Sequence, residues 1–252
     1  MAQERFVFGV NPVLEALRAH PHTVERLWVV DGALAKGAAA EILSRAKDAR
    51  LRVDHAPRER LGTMAEGGAH QGVVAELKAF QYVELEDLLD AAKASGRPAL
   101  LAVLDGIQDP HNLGAIIRSA HALGAHGVVL PKDRAASITG AVAKASAGAV
   151  EYCPVARVVN LSRTLEQLKE AGVWIAAADP TGSQALWEAP LDGPLAVVVG
   201  AEGEGVRKGV LAHCDFRLRI PMLGKVDSLN ASVSAGLVLY EAARQRGMRK
   251  AP

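Results

Sequence analysis

From Ala99 to Gln245 the chain repeats one pattern: a short apolar run, a turn, then a segment with apolar residues at helical spacing. The runs ALLAVLDG, GVVLP, VWIAAAD and PLAVVVG carry apolar residues at consecutive positions. A strand with one wet face would alternate apolar and polar residues instead, so these runs predict strands buried on both sides. Helices packed on both faces of a parallel sheet give that burial, so the fold class expected is α/β. In such sheets ligands sit beyond the carboxyl ends of the strands, so the residues just after each run are the candidates for chemistry.

A smaller alternation precedes this one, from Phe6 to about Lys78. VNPVLEALRA predicts a helix with Asn11 as N-cap and Pro12 at the first helical position. VERLWVV, LRVDHA and GVVAEL read as strands, and AAAEILSRAKDAR as a helix. Between the two blocks, ELEDLLDAAKASGRP reads as a charged linker with some helix. The expected organisation is therefore a front module at 1–79, a linker at 80–97 and a main domain at 98–252.

Composition narrows the function less than the pattern does. The 29 Lys and Arg nearly balance 28 Asp and Glu, so net charge announces no nucleic-acid partner, although a balanced total leaves room for a basic face. MAQERFVFGV is not a secretory signal, and runs such as LAVVVG are too short to span a bilayer, so a cytoplasmic protein without a membrane partner is expected. Cys153 and Cys214 have neither metal-type spacing nor a redox pairing, and read as buried thiols.

Three strand ends carry unusual residues. In LDGIQDPHNLGAIIRSA, an Asp109-Pro110 turn leads into a helix opened by Asn112, Gly114 and Arg118. Taken singly, a helix cap and a surface arginine account for these. In LAVVVGAEGEGVRKG, a buried strand runs into Gly200, Gly203 and Gly205, as where backbone approaches a ligand closely. The next glycine, Gly209, has the wrong spacing for a dinucleotide fingerprint, and FRLRIP ends in proline rather than a ribose-binding acid, which disfavours a nucleotide-dependent oxidoreductase. In IPMLGKVDSLNASVSAG, a mostly buried helix is expected from Leu229, with Ser228, Asn230, Ser232 and Ser234 around its first turns. Such residues favour caps over helix interiors. Tight packing explains Ser234, Ala235 and Gly236 but leaves Ser228 and Asn230 without a reason. GxSxG is absent, so a hydrolase nucleophile elbow is unsupported.

In this order and spacing the three stretches form N-x-G-x-x-x-R, V-x-G-x-E-G-x-G and I-P-M-x-G-x-x-x-S-L-N-x-S. The set resembles the SpoU (TrmH-like) family of the SPOUT superfamily, RNA ribose 2′-O-methyltransferases that use S-adenosylmethionine. The resemblance covers essentially the whole chain, since GVNPVLEAL and HQGVVAE resemble the small RNA-binding module, like ribosomal protein L30e, that many members carry. Ala231 and Ser234 stand where Val and Ala are more usual. The resemblance implies a parallel-sheet domain with a deep trefoil knot, with the cofactor held at Gly200, Ala201, Ile220, Met222 and Leu229. It assigns catalysis to Arg118, Asn112, Glu202, Ser228 and Asn230, with Arg118 central and no metal. It implies a homodimer with active sites at the interface and, within the family, is strongest to members that methylate a guanosine of 23S ribosomal RNA. A tRNA enzyme with the same catalytic domain, or a non-catalytic RNA-binding protein of the ribosome, are the alternatives. The front module speaks against the simplest tRNA enzymes, which lack it.

Overall fold

The alternation expected from the apolar runs is present in a computed structural model, which describes residues 5–31 and 37–247. The front block runs β1 (Arg5–Phe8), α1 (Val10–Ala19), β2 (Val24–Val29), α2 (Ala38–Asp48), β3 (Arg52–His55), α3 (Arg58–Met64) and β4 (Val73–Leu77). It continues through α4 (Leu85–Ala94), β5 (Leu100–Asp105), α5 (Pro110–Ala122), β6 (Gly127–Pro131), α6 (Gly140–Ala145) and β7 (Val155–Val158). The remainder is α7 (Leu161–Glu170), β8 (Trp174–Ala178), β9 (Gln184–Ala185), β10 (Leu195–Gly200), α8 (Lys208–Leu211), β11 (Phe216–Arg219) and α9 (Ala231–Gln245). Two compact units result: Met1–Gln81 with Ser137–Tyr152, and Tyr82–Ala136 with Cys153–Pro252.

The second unit is built on a seven-stranded sheet of order β7-β6-β5-β10-β8-β11-β9, with every neighbouring pair parallel. β5 and β10 lie side by side in its middle and are buried at every position, which is why their sequences do not alternate. Leu101, Val103, Ala196 and Val198 face α4 and α7 through Leu85, Leu88, Leu161 and Leu165. Each fully buried Leu or Ile there contributes about 1.5–3 kcal/mol. The alternate residues Leu100, Ala102 and Leu104 point the other way, where α5 and α9 pack against one another and on the sheet.

Three differences from the sequence expectation have clear physical reasons. The segment read as a linker contains a core helix. Glu84 and Asp87 form a capping box at its start, and Leu85 and Leu88, spaced for one helix face, join the core of the second unit. The cap of α1 is Gly9 rather than Asn11: Gly9 adopts φ 93, ψ 154, a conformation open to glycine, and the Gln71 side chain accepts the Val10 N–H at 3.0 Å. The last helix begins at Ala231 with Asn230 as its N-cap, so Ser228 lies in the preceding loop. Nor is that helix mostly buried: Val233, Leu237 and Tyr240, one stripe along it, are 48%, 39% and 48% exposed.

The first unit has a four-stranded mixed sheet of order β1-β4-β2-β3. Its core includes a segment from far along the chain, Ser137–Tyr152, which the sequence pattern assigned to the main domain. A Cβ at Gly140 would stand 1.8 Å from the Phe6 carbonyl oxygen, so only glycine permits this approach of α6 to β1. Tyr152 donates to Glu15 at 2.6 Å, and Arg5 pairs with Glu151 at 2.9 Å with side chains only 7% and 2% exposed. A buried pair of this kind fixes which surfaces meet more than it adds net stability.

Candidate active site

β10 leaves the sheet at Gly200, and the chain folds straight back on itself. A Cβ at Gly200 would lie 2.0 Å from the Gly205 carbonyl carbon, so a side chain there is sterically excluded. Gly205 N–H donates to the Ala201 carbonyl at 2.9 Å, and Gly203 and Gly205 take φ of 80 and 67, which glycine adopts without penalty. The loop's exit is held by Asp105 at the end of neighbouring β5. Its fully buried carboxylate accepts the Arg207 backbone N–H at 2.9 Å and the guanidinium Nε at 2.7 Å and Nη2 at 2.6 Å. The hydrogen bond and charge of Asp105 raise the Arg207 pKa above its ordinary value. Sequence reading missed this strut. Its only trace was an acid closing a buried strand and an arginine closing a glycine loop.

Beyond the carboxyl ends of β8, β10 and β11 opens a cavity of about 1010 Å³. All five expected cofactor residues line it: Gly200, Ala201, Ile220, Met222 and Leu229. So do Glu202, Ser228 and Asn230 of the five expected catalytic residues. Four acids (Asp179, Glu202, Glu204, Asp227) face two bases (Lys208, Arg217), an excess of two negative charges around an otherwise largely apolar wall.

Asn230 brings the three sequence stretches together. Its side-chain oxygen caps α9, accepting the N–H of Ser232 at 2.9 Å and of Val233 at 3.3 Å. Its amide nitrogen donates to Asn112 Oδ1 at 2.9 Å and to Glu202 Oε1 through a short hydrogen bond. Asn112 is delivered by the start of α5, where Asp109 accepts the N–H of His111 and Asn112 at 3.0 and 3.3 Å. One side chain therefore ties the α5 start, the glycine loop and the last helix together at the lip of the cavity. Arg118 is not part of this cluster. It is exposed on α5, lies off the cavity wall, and makes no hydrogen bond or ion pair among the described residues.

The cysteines offer no alternative nucleophile. Burial pushes the Cys153 thiol up to about 12 and the half-buried Cys214 up to about 11, and neither lines the cavity. Among the described residues no helix is long and apolar enough to cross a membrane.

Two family models match the chain: the SpoU rRNA methylase family over residues 99–240, and RNA 2′-O ribose methyltransferase substrate binding over residues 6–83. The Bacillus subtilis protein YacO, placed by its name in the TrmH family of tRNA/rRNA methyltransferases, is 45% identical over 244 residues, 97% of each chain. The 23S rRNA (guanosine-2′-O-)-methyltransferase RlmB of Pseudomonas putida is 40% identical over 253 residues, 99% of this chain and 100% of that one. The crystal structure of the SpoU methyltransferase AviRb from Streptomyces viridochromogenes with AdoMet superposes with a TM-score of 0.80 at 25% identity, covering 98% of this chain and 92% of that one.

Proposed function

This chain belongs to the SpoU rRNA methylase family, and on that premise we propose that it methylates the ribose 2′-hydroxyl of a guanosine in large-subunit ribosomal RNA. It is an RNA methyltransferase, and S-adenosylmethionine is the methyl donor. The observation that carries the reading is the Asn230 bridge, which gathers Asn112 and Glu202 at the lip of a cavity lined by every residue expected to hold the cofactor.

The residues present fit that cofactor. A cavity of about 1010 Å³ accommodates a nucleoside with an amino-acid tail. Ile220, Met222 and Leu229 offer an apolar slot for adenine, and the acidic excess suits a cationic sulfonium. Bound there, S-adenosylmethionine supplies a methyl group already attached to a cationic leaving group, an electrophile that needs no metal to activate it. The protein's tasks are then to align the ribose oxygen and to let its proton leave. Asn230, Asn112, Glu202 and Ser228 position the ribose. The guanidinium of Arg118 is by its chemistry a poor base. Its planar fork instead clamps an RNA phosphate, and the hydroxyl proton passes to a phosphate oxygen or to water.

The second unit is a deep trefoil knot at the cofactor site. Supporting this, Arg246 just past α9 donates to the carbonyls of Leu191, Pro98, Ala99 and Gly193, while Gln245 bonds Leu191 N and Ala189 O. The chain's last helix is thereby held against the loop that leads into β10. The first unit is an L30e-like RNA-binding module, in keeping with its mixed sheet and flanking helices. The enzyme works in the cytoplasm as a homodimer. The exposed stripe Val233, Leu237 and Tyr240 beside α5 is apolar surface that a two-fold partner would cover, and Arg118, which stands off its own cavity, belongs to a site shared across that interface.

The direct test is tritium transfer from labelled cofactor to undermodified 23S rRNA, compared with bulk tRNA. Label should appear in rRNA at a guanosine 2′-oxygen. Label in tRNA alone would move the enzyme to the tRNA branch of the family, and none in either would sink the catalytic reading. The role of Asn230 has a sharper test. Asn230→Asp keeps an acceptor for the Ser232 and Val233 N–H groups, so α9 stays capped. It also sets a carboxylate against Glu202 and removes the donor to Asn112. Turnover should fall by about tenfold or more with only a small change in melting temperature. Wild-type turnover would mean that the bridge is dispensable.

A further inference from the structure

We propose that a second, smaller cavity at the carboxyl ends of β6 and β7 binds a phosphate of the RNA strand beside the target nucleotide. The proposal rests on the reading that RNA is the substrate, and extends it by giving the second unit its own grip on the strand. The cavity measures about 430 Å³ and shares no lining residue with the larger one. Its walls include Arg134, Arg207 and the start of α7 at Asn160 and Ser162.

Charge identifies the ligand as an anion. Arg134 is exposed, held at φ 58 in a tight turn after β6, and makes no hydrogen bond or ion pair among the described residues. Lys132 and Arg157 flank it, with Arg157 donating to the Lys132 carbonyl at 2.9 Å and lying 5.2 Å from the centre of the Tyr82 ring. Asp105 neutralises Arg207, and Asp133 offsets one more cation. The lining is balanced once Asp105 is counted (Arg134 and Arg207 against Asp133 and Asp105), and Lys132 and Arg157, which are outside the lining, bring the neighbourhood to two positive charges in excess. The amide end of α7 adds a partial positive charge of its own.

The cavity also offers a patch of apolar surface beside the cations. Val159 lines the same cavity and is 80% exposed, an aliphatic face left in water next to cations. A simple inorganic anion would gain nothing from it, whereas a base or sugar attached to the phosphate would cover it. Position identifies the nucleotide as part of the substrate strand. Arg207 is the residue on which the glycine loop of the larger cavity ends, pinned by Asp105 at three points. A strand gripped at Arg207 is therefore held in register with the loop that lines the proposed methyl-donor site.

The test uses the full-length protein and a fluorescein-labelled single-stranded fragment of 23S rRNA, with binding read by anisotropy across a potassium chloride series. Arg134→Glu should weaken binding by about tenfold at low salt and lower the slope of log Kd against log salt by about one. The loss should appear in KM for RNA rather than in kcat, with S-adenosylhomocysteine affinity unchanged. Arg134→Lys, which keeps the charge, should recover most of the affinity. Lys93→Glu makes the same charge change in the last turn of α4, just before the chain enters β5 at the amino ends of the strands, and should have little effect. If Arg134→Glu and Lys93→Glu behave alike, the subsite is refuted. If GMP displaces the fragment as well as an unlabelled oligonucleotide does, the cavity takes free nucleotides and the strand assignment fails. Binding is read without turnover, so an enzyme that holds RNA through Arg134 but never methylates it would overturn the proposed reaction and leave the subsite standing.

Discussion

Leu229→Arg is expected to abolish binding of S-adenosylhomocysteine in calorimetry, weakening it by at least about a hundredfold, or ~3 kcal/mol. Leu229 lines the large cavity between Ser228 and Asn230, in the loop that precedes α9. Arginine there occupies volume the adenosine needs. It also supplies a cation to a wall with two negative charges in excess, so the guanidinium is held inside rather than expelled to solvent. The same excess is the feature that suits a sulfonium, and the substitution turns it against the ligand. Because Leu229 is only partly buried and lies outside the helix, the melting temperature should change little. Leu229→Met, which conserves volume and apolar character, should bind nearly as wild type. Normal affinity in the arginine variant would mean that the cofactor lies elsewhere.

How much of the molecule was legible in its sequence depends on the range of the interactions involved. The central strands were legible because β5 and β10 are buried on both faces, and two-sided burial leaves a continuous apolar run that needs no partner to be recognised. Ser228 and Asn230 were legible as anomalies, short polar residues beside Leu229 and Val233. Ser228 lies in the loop that lines the cavity, and Asn230 has a local reason, its cap on α9, beside one that is not local. Asn230 reaches Asn112, 118 residues earlier, and no periodicity reports a bond of that span. The same blindness hid Asp105 and Arg207, separated by 102 residues, and the docking of Gly140 on the Phe6 carbonyl. In α4 the miss was one of weighting: its charged residues were conspicuous, while Leu85 and Leu88, which decide where it packs, were few. Asn11 lies inside α1 rather than capping it because the helix starts at Val10, whose N–H the Gln71 side chain accepts, and local preference yields to a tertiary hydrogen bond.

Arg118→Ala is expected to lower kcat by about 10²–10⁴-fold while leaving the fold and the affinity for S-adenosylhomocysteine intact. The side chain is exposed and unpaired among the described residues, so removing it should change stability by no more than about 0.5 kcal/mol. It is off the cavity wall, so the cofactor should not feel its loss. Arg118→Lys separates two roles: a planar clamp on phosphate predicts severe loss with lysine, whereas simple charge attraction predicts near-normal turnover. Its place off the wall also predicts something about assembly. If each working site combines the cavity of one protomer with Arg118 of the other, two inactive proteins can repair one another. In a dimer of one Arg118→Ala chain and one Leu229→Arg chain, the cavity of the first faces the intact Arg118 of the second. Random remixing makes about half the dimers mixed, each with one of two sites restored, so activity should return to about a quarter of wild type. Native mass spectrometry verifies that mixed dimers have formed. If they have, and the mixture remains as inactive as its parents, the site is not shared and Arg118 must act, if at all, within its own protomer.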